Sequence, residues 1–282
     1  MSLSILNNIS SLAAQNQLAI NQKSLQNSLF QLSSGSRINS GADDAAGLAI
    51  ADGLMANVTA LTQSAQNATD GLGMLQVADG SLAQVTTLLN RAVTLATEAA
   101  NGTVSTQQGA ALDAEFQSIK AEIDRIGSNT TYNGQAVFGG SGANVFLTDG
   151  TSAGSSTIAV SVGALSSSSI GFSTGLTAVD LSGDDLTTNA NAQTALTDIS
   201  NAIANVAADR GTLGASENRL QSASNVISNQ VQNLSSAEDS IRAADMGKTT
   251  SDLSKYSILQ QTGIAALQQS NQMQQAVLKL LQ

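Results

Sequence analysis

Apolar side chains recur at alternating intervals of four and three residues through residues 47–96. The positions, all apolar except Asp79 and Thr86, are Leu54, Val58, Leu61, Ala65, Ala68, Leu72, Leu75, Asp79, Leu82, Thr86, Leu89, Val93 and Ala96. A repeat of this length predicts a long helix with one narrow apolar stripe that packs on another helix. At about 1.5 Å per residue the helix is roughly 70 Å long, so it needs a partner from elsewhere in the chain.

The same repeat returns between Leu196 and Ile241, which predicts the partner helix. Arg210 and Glu217 interrupt it, and polar groups at such positions more often fix the register of two helices than perform chemistry. A shorter helix after a Gly-containing break is predicted to fold back on the first helix. Its apolar positions are Leu112, Phe116, Ile119, Ile123 and Ile126.

Residues 135–195 are rich in Gly, Ser and Thr and predict a small β insert. Apolar residues alternate at Val145–Leu147 and again from Ile158 to Val162, which is typical of strands in β-hairpins. Both chain ends are amphipathic and nearly uncharged, with Lys23 the one charge in residues 1–36 and Lys279 the one charge after Lys255. The predicted fold is therefore mainly α: a long antiparallel coiled-coil or helical-bundle rod, a β-hairpin insert and paired terminal helices.

The composition excludes several functions. The net charge of −10 argues against a nucleic-acid partner. The chain has no His, the commonest general base and metal ligand, so we expect no enzyme activity, no metal and no cofactor. No continuous apolar run approaches about 18 residues, so we expect no membrane span. The N-terminus lacks the basic and apolar regions of a cleavable secretory signal.

Two adjacent acids, Asp43 and Asp44, precede the first long helix. Carboxylates at a helix start cap free N–H groups and suit the positive end of the helix dipole. We therefore interpret them as capping groups and not as a metal site. Gly35 and Gly41 are expected to end the preceding helix.

Four motifs in order carry a resemblance to a known family. They are LSSGSRINSGADDAAGLAIA (residues 32–51), EIDRI with TTYNG (residues 122–134), LGASENRLQSA (residues 213–223) and VLKLLQ (residues 277–282). With these motifs the chain resembles bacterial flagellin over nearly its whole length. Its short insert makes it similar to a minimal form that lacks large outer domains.

The resemblance implies an extracellular subunit of the flagellar filament, exported through the growing flagellum by type III export without a cleaved signal. It implies a terminal domain from residues 1–41 and 244–282, whose helices order on polymerisation, and a rod domain from residues 42–243. Its partners would be other copies of itself, an export chaperone, and the cap and hook-associated proteins. The expected polymerisation contacts are Ile5, Ile9, Leu12, Leu25, Leu29, Leu259, Ile264, Leu267, Val277, Leu280 and Leu281.

The family resemblance also implies an animal innate immune receptor as a partner, with Arg91, Leu95 and Glu115 at the matching positions. The chain departs from the recognised pattern at Val93 and Thr94, where Arg and Glu are common. An alternative assignment is a hook–filament junction protein of similar architecture. A zinc protease in the insert, present in some relatives, would need an H-E-x-x-H helix, and the chain contains no His.

Overall fold

The structure, a computed structural model, describes residues 9–139, 143–148, 157–160, 162–171 and 177–280. The helices in this part of the chain are α1 (Ile9–Ser34), α2 (Ala45–Ala99), α3 (Thr106–Asn129), α4 (Asn189–Arg242) and α5 (Met246–Leu280). The strands are β1 (Thr131–Tyr132), β2 (Gln135–Ala136), β3 (Ala143–Phe146), β4 (Thr157–Val160), β5 (Leu165–Ser166) and β6 (Ser169–Ile170). The mainly α fold with a small β insert between two long helices is confirmed.

The chain forms two compact units. The central unit is Asn57–Gln232, and the terminal unit combines Met1–Ala56 with Asn233–Gln282. Residues of both α2 and α4 belong to each unit. The domain bounds implied by the family resemblance, at residues 41 and 244, stay a prediction.

Side chains from α2, α3, α4 and the β insert share one apolar core in the central unit. The buried positions that line α2 there include Leu75, Ala78, Leu82, Val85, Leu89, Ala92, Ala96 and Ala99. They keep the predicted period, but Ala78, Val85 and Ala92 replace the expected Asp79, Thr86 and Val93, which flank the stripe and are only partly buried. The expectation was wrong at these positions because a strict four-three count from Leu54 steps onto the residues beside the buried stripe, and Ala78 and Ala92 give little hydrophobic signal.

Helix α4 runs antiparallel to α2 within the central unit. Arg210 donates from Nε and Nη2 to the two carboxylate oxygens of Asp79, at 2.7 and 3.2 Å. Just beyond the C-terminal end of α2, Asn189 Nδ2 donates to the Ala100 carbonyl, so residue numbers rise along one helix as they fall along the other. The Arg210 guanidinium lowers the pKa of the Asp79 carboxyl. Two polar residues that interrupt the two apolar repeats therefore pair with each other and fix the register.

Helix α3 folds back on α2, as predicted. Ser105 caps its first turn through a reciprocal bond with Gln108, a capping box. Phe116, Ile119, Ile123 and Ile126 are buried in the core. After α3 the chain reverses in the β1–β2 hairpin, where Asn133 and Gly134 both have positive φ, 49° and 77°. An Asn-Gly pair is the usual solution for such a two-residue turn.

The β insert consists of antiparallel strand pairs, which confirms the predicted hairpins. Val145 of β3 pairs with Ile158 of β4. Helix α2 is hydrogen-bonded to the backbone just after β3. Ser64 Oγ donates to Thr148 O at 2.7 Å and accepts from Thr148 N at 2.9 Å. The insert ends earlier than expected, because α4 begins at Asn189 and buries Ala192 and Ala195 before the first large apolar residue of the repeat.

Gly127 allows α3 to lie directly on β5. The residue is buried, and a Cβ there would overlap the carbonyl oxygen of Leu165, a backbone atom that cannot rotate away. Close backbone approach of this kind is available only to glycine.

We predict that Gly127→Ala lowers the free energy of unfolding of the protein by about 2 kcal/mol or more, because the new methyl group overlaps backbone. Gly80→Ala is the matched control: a Cβ at this position of α2 meets nothing within 4 Å. That variant should stabilise the protein by about 0.5–1 kcal/mol. Denaturant unfolding followed by circular dichroism measures both, and wild-type stability of Gly127→Ala would contradict the close packing.

Candidate interaction surfaces

Hydrogen bonds tie the end of α1 to the end of α4 within the terminal unit. Gly35, with φ of 68°, ends α1 as predicted. The Arg37 N–H donates to Arg242 O at 2.7 Å, and the Ala244 N–H donates to Gly35 O at 2.9 Å. The Arg37 guanidinium adds a bond from Nη2 to Ile241 O at 2.6 Å. The segment that follows α1 is therefore held to the segment that connects α4 to α5.

The two acids before α2 have different roles. Asp44 Oδ1 accepts from the Gly47 N–H at 2.9 Å, which is the predicted helix cap. Asp43 instead closes the preceding loop, because its Oδ2 accepts from the N–H groups of Asn39 and Ser40 at 3.1 and 3.0 Å. These bonds, led by that from Asn39, lower the pKa of the Asp43 carboxyl.

Helices α1 and α5 pack against each other in antiparallel orientation. Ser11 Oγ lies 3.5 Å from Asn271 Oδ1, and Leu18 Cδ1 lies 3.2 Å from the position of a Cβ on Gly263. The side chains that α1 buries in this contact are polar: Ser11, Asn21 and Ser28, each 6–8% exposed. The interface between the terminal helices is therefore thin and partly polar.

Many large apolar side chains of the same helices face outward in the single chain. Ile9 is 72% exposed, Phe30 69% and Ile258 62%. The set at these helices comprises Ile9, Leu12, Ile20, Leu29, Phe30, Ile258, Leu259, Ile264 and Met273; we call it the outer apolar set. A concentration of exposed apolar side chains on paired helices is typical of a surface that another protein covers.

The structure separates the predicted polymerisation contacts into two groups. Ile9, Leu12, Leu29, Leu259 and Ile264 belong to the outer apolar set, whereas Leu25 and Leu267 are half-buried between α1 and α5. Ile5 and Leu281 lie outside the described residues, as do the side chains of Val277 and Leu280.

Sequence reasoning missed Ile20, Phe30, Ile258 and Met273 as outward-facing residues. Their apolar character was visible in the sequence. Only the α1–α5 packing shows which side of each helix they occupy.

The predicted receptor contacts are brought near one another but are not equally accessible. Arg91 donates from Nε and Nη2 to the Glu115 carboxylate at 2.7 and 3.1 Å, and both side chains are exposed. The guanidinium lowers the pKa of Glu115, and the carboxylate raises the pKa of Arg91. Leu95 is only 1% exposed and belongs to the core. Leu95 therefore offers little surface to a partner of the single chain, because α2 turns this side chain inward, and the receptor contact itself stays a prediction.

A buried lysine organises the segment before α4. Lys120 Nζ donates to the carbonyl oxygens of Leu181, Ser182 and Asp184 at 3.0, 3.2 and 2.7 Å, and burial lowers its pKa. Asp184 Oδ2 is a buried oxygen without a hydrogen-bond partner among the described residues. Burial, with Asp198 nearby, raises the pKa of Asp184 to about 6.

The described residues contain no group of three or more His, Cys, Asp or Glu side chains placed to hold a metal ion. One described helix, α2, is long and apolar enough by composition to cross a membrane. The expectation of no such segment overlooked it, because polar residues interrupt every continuous apolar run. A single helix of this kind is weak evidence of a membrane span.

Sequence comparisons with known proteins agree over 97% of the chain. Family models described as "Bacterial flagellin N-terminal helical region" and "Bacterial flagellin C-terminal helical region" match residues 5–143 and 196–281. The chain is 37% identical to "Flagellin" of Halalkalibacterium halodurans and 33% identical to "Flagellin FlaB2" of Treponema pallidum, in each case over 97% of this chain and 98% of the relative. It is also similar to the crystal structure of Bacillus cereus flagellin, with 29% identity, a TM-score of 0.47 and coverage of 61% of this chain and 94% of that one.

Two neighbouring acids should respond oppositely to removal of their charge. The pKa of Asp184 in the folded protein, about 6, lies above its ordinary 3.8, so the charged form destabilises the fold above pH 6 and this penalty disappears as the pH falls toward 3.8. We expect Asp184→Asn to raise the free energy of unfolding near neutral pH by about 1 kcal/mol, a value reduced for partial exposure.

Asp185→Asn is the matched control. Bonds from Thr187 and Asn191 lower the pKa of Asp185, so its charge stabilises the fold above its ordinary pKa and its removal should lower stability at neutral pH. Calorimetric melting at several pH values tests both variants. A less stable Asp184→Asn at neutral pH would overturn the interpretation.

Proposed function

The chain belongs to the bacterial flagellin family and is a structural subunit of the flagellar filament, and we propose that its assembly buries the outer apolar set of α1 and α5 between copies. Filaments of this family are homopolymers outside the cell, and the subunits are structural and not enzymes. The hook–filament junction alternative has no support in the comparisons.

The single observation that carries the proposal is the outward exposure of these side chains. Fully burying one aliphatic side chain of this size is worth about 1.5–3 kcal/mol. The cost of removing charges from water is small here, because residues 9–34 contain only Lys23 and residues 256–278 contain none. A second copy of the chain offers the same uncharged apolar surface, so a homopolymer satisfies both sides of the contact.

The thin interface between α1 and α5 supports a terminal domain that gains much of its order on assembly. The most fully buried side chains of α1 are polar, and the leucines between them stay half-buried, so the pairing gains only part of the hydrophobic stabilisation of a fully buried leucine contact. The predicted terminal domain, residues 1–41 and 244–282, would therefore be stabilised mainly by neighbouring copies.

We predict that Ile264→Glu slows seeded filament growth at least about tenfold, because the carboxylate would enter an apolar contact between copies. Gln268→Glu is the matched control, since it adds the same charge one turn away at an exposed polar position. Helix content should stay close to wild type in both variants. Electron microscopy and sedimentation measure growth, and normal filaments from Ile264→Glu would remove the outer apolar set from the proposal.

Further partners remain proposals that rest on family membership. They are an export chaperone, the cap and the hook-associated proteins, with type III export that leaves the N-terminus uncleaved. A subunit with an exposed, aggregation-prone apolar surface needs protection before assembly, which supports a chaperone that covers α1 or α5.

For an animal innate immune receptor, the accessible part of the predicted contact is the Arg91–Glu115 pair. A receptor carboxylate could replace Glu115 as the partner of the Arg91 guanidinium, because planar bidentate pairing is geometrically specific. Surface ion pairs contribute little to stability, so this exchange costs the subunit little.

Arg91→Ala should reduce receptor signalling by roughly tenfold, the typical effect of removing one interfacial arginine. Arg125→Ala is the matched control, because Arg125 forms a similar exposed pair with Glu122 on α3. A cell reporter that responds to the wild-type protein measures both variants. Equal signalling from Arg91→Ala and wild type would exclude the pair from the contact.

A further inference from the structure

The interface between α1 and α5 has a regular composition that the family assignment does not explain. The α1 positions that face α5 recur at intervals of three and four residues, with leucines alternating with small or polar residues. They are Ser11, Ala14, Leu18, Asn21, Leu25, Ser28 and Leu32, all buried or half-buried. Six half-buried positions of α5 keep the same spacing, with Asp252 and Ser257 half-buried beside them: Leu253, Tyr256, Gln260, Gly263, Leu267 and Ser270.

Two contacts fix which residues lie level with each other. Ser11 meets Asn271, and Leu18 meets Gly263. Counting along the antiparallel helices from these contacts places Ala14 level with Leu267 and Ser28 level with Leu253. At these levels a large side chain opposes a small one, whereas Leu25 lies level with Tyr256. The same count places Asn21 level with Gln260, so that two amide side chains share one level.

Asn21 is only 6% exposed, and its Oδ1 accepts from Gln17 Nε2 at 3.4 Å. A slip of one heptad in either direction would place this buried amide level with Leu253 or Leu267. The Gln17 bond is kept in every register because both residues lie on α1. It engages only Oδ1, and leaving the buried Nδ2 donors level with leucine is costly. The leucines of α1 do not disfavour a slip in the same way. A slip of one heptad can place Leu25 level with Gly263, which again sets a large side chain against a small one. The position of Asn21 is therefore the one whose energy distinguishes the native register from the two registers slipped by one heptad.

We propose that Asn21, facing Gln260, is the positioning residue that fixes the register of the terminal helix pair. Single buried amides set register in coiled coils generally. The consequence for assembly rests on the proposed function. A one-heptad slip moves α5 by about 10 Å along α1, so the part of the outer apolar set on α5 no longer lies beside its part on α1.

The chain has no cysteine, so introduced cysteine pairs can report the register. Ser11→Cys with Asn271→Cys reports the native register, and Ser11→Cys with Ile264→Cys reports a slip of one heptad. Each pair is placed in full-length soluble subunits and equilibrated with glutathione. The fraction of intramolecular disulfide gives the effective concentration of each register, even where the helices are paired only part of the time.

We expect the native pair to exceed the slipped pair at least about tenfold in the wild-type background. Asn21→Leu should reduce that ratio by about tenfold or more, since leucine faces leucine in the slipped registers. Adding Gln260→Leu should move the ratio back toward wild type, because the native register then places two leucines level. Asn27→Leu, which adds the same side chain at an exposed position of α1, should leave the ratio unchanged.

An unchanged ratio in Asn21→Leu, an equal loss in Asn27→Leu, or equal trapping of both pairs in the wild-type background would overturn the proposal. Seeded filament growth of the variants without cysteines is measured in parallel. We expect slower growth for Asn21→Leu and recovery with Gln260→Leu. Because the register is measured in soluble subunits, it is tested even if Ile264→Glu forms normal filaments and the proposed assembly surface fails.

Discussion

The antiparallel packing of α4 along α2 is the contact on which the central unit depends. Neither helix can be stable alone, because an isolated helix in water lacks an apolar partner for its stripe. Alanines at Ala78, Ala92, Ala195 and Ala202 are buried along the two helices. The Asp79–Arg210 pair then fixes the register at low cost, since its charges stay partly in water.

The β insert and α3 are secured to this pair by polar side chains and by glycine. Ser64 binds the backbone after β3, and Asn205 donates from its amide to the carbonyl oxygens of Ile170 and Thr177 at 3.1 and 3.0 Å. Gly127 removes the side chain that would separate α3 from β5. The chain has few aromatic side chains to fill a thick apolar core. Directional hydrogen bonds therefore help to hold the insert on the helices.

The terminal helices use the opposite arrangement of polar and apolar residues. They bury Ser11, Asn21 and Ser28 against each other, and expose residues such as Ile9 and Phe30. A helix pair built this way gains specificity of register at the expense of stability. In the assembly that we propose, the exposed apolar residues supply the missing stability when other copies of the subunit arrive.

The sequence by itself determined the helical period, the β insert, the helix breaks and the family, because spacing, glycines and motifs are local properties of the chain. Only the tertiary structure decided which residues beside each apolar stripe are buried. On α2 it buries Ala78 where the repeat had predicted Asp79. It also placed Leu95 in the core and Leu25 between the terminal helices. The physical reason is that a helix has apolar residues on more than one side, and the partner that packs on it selects the side that leaves water.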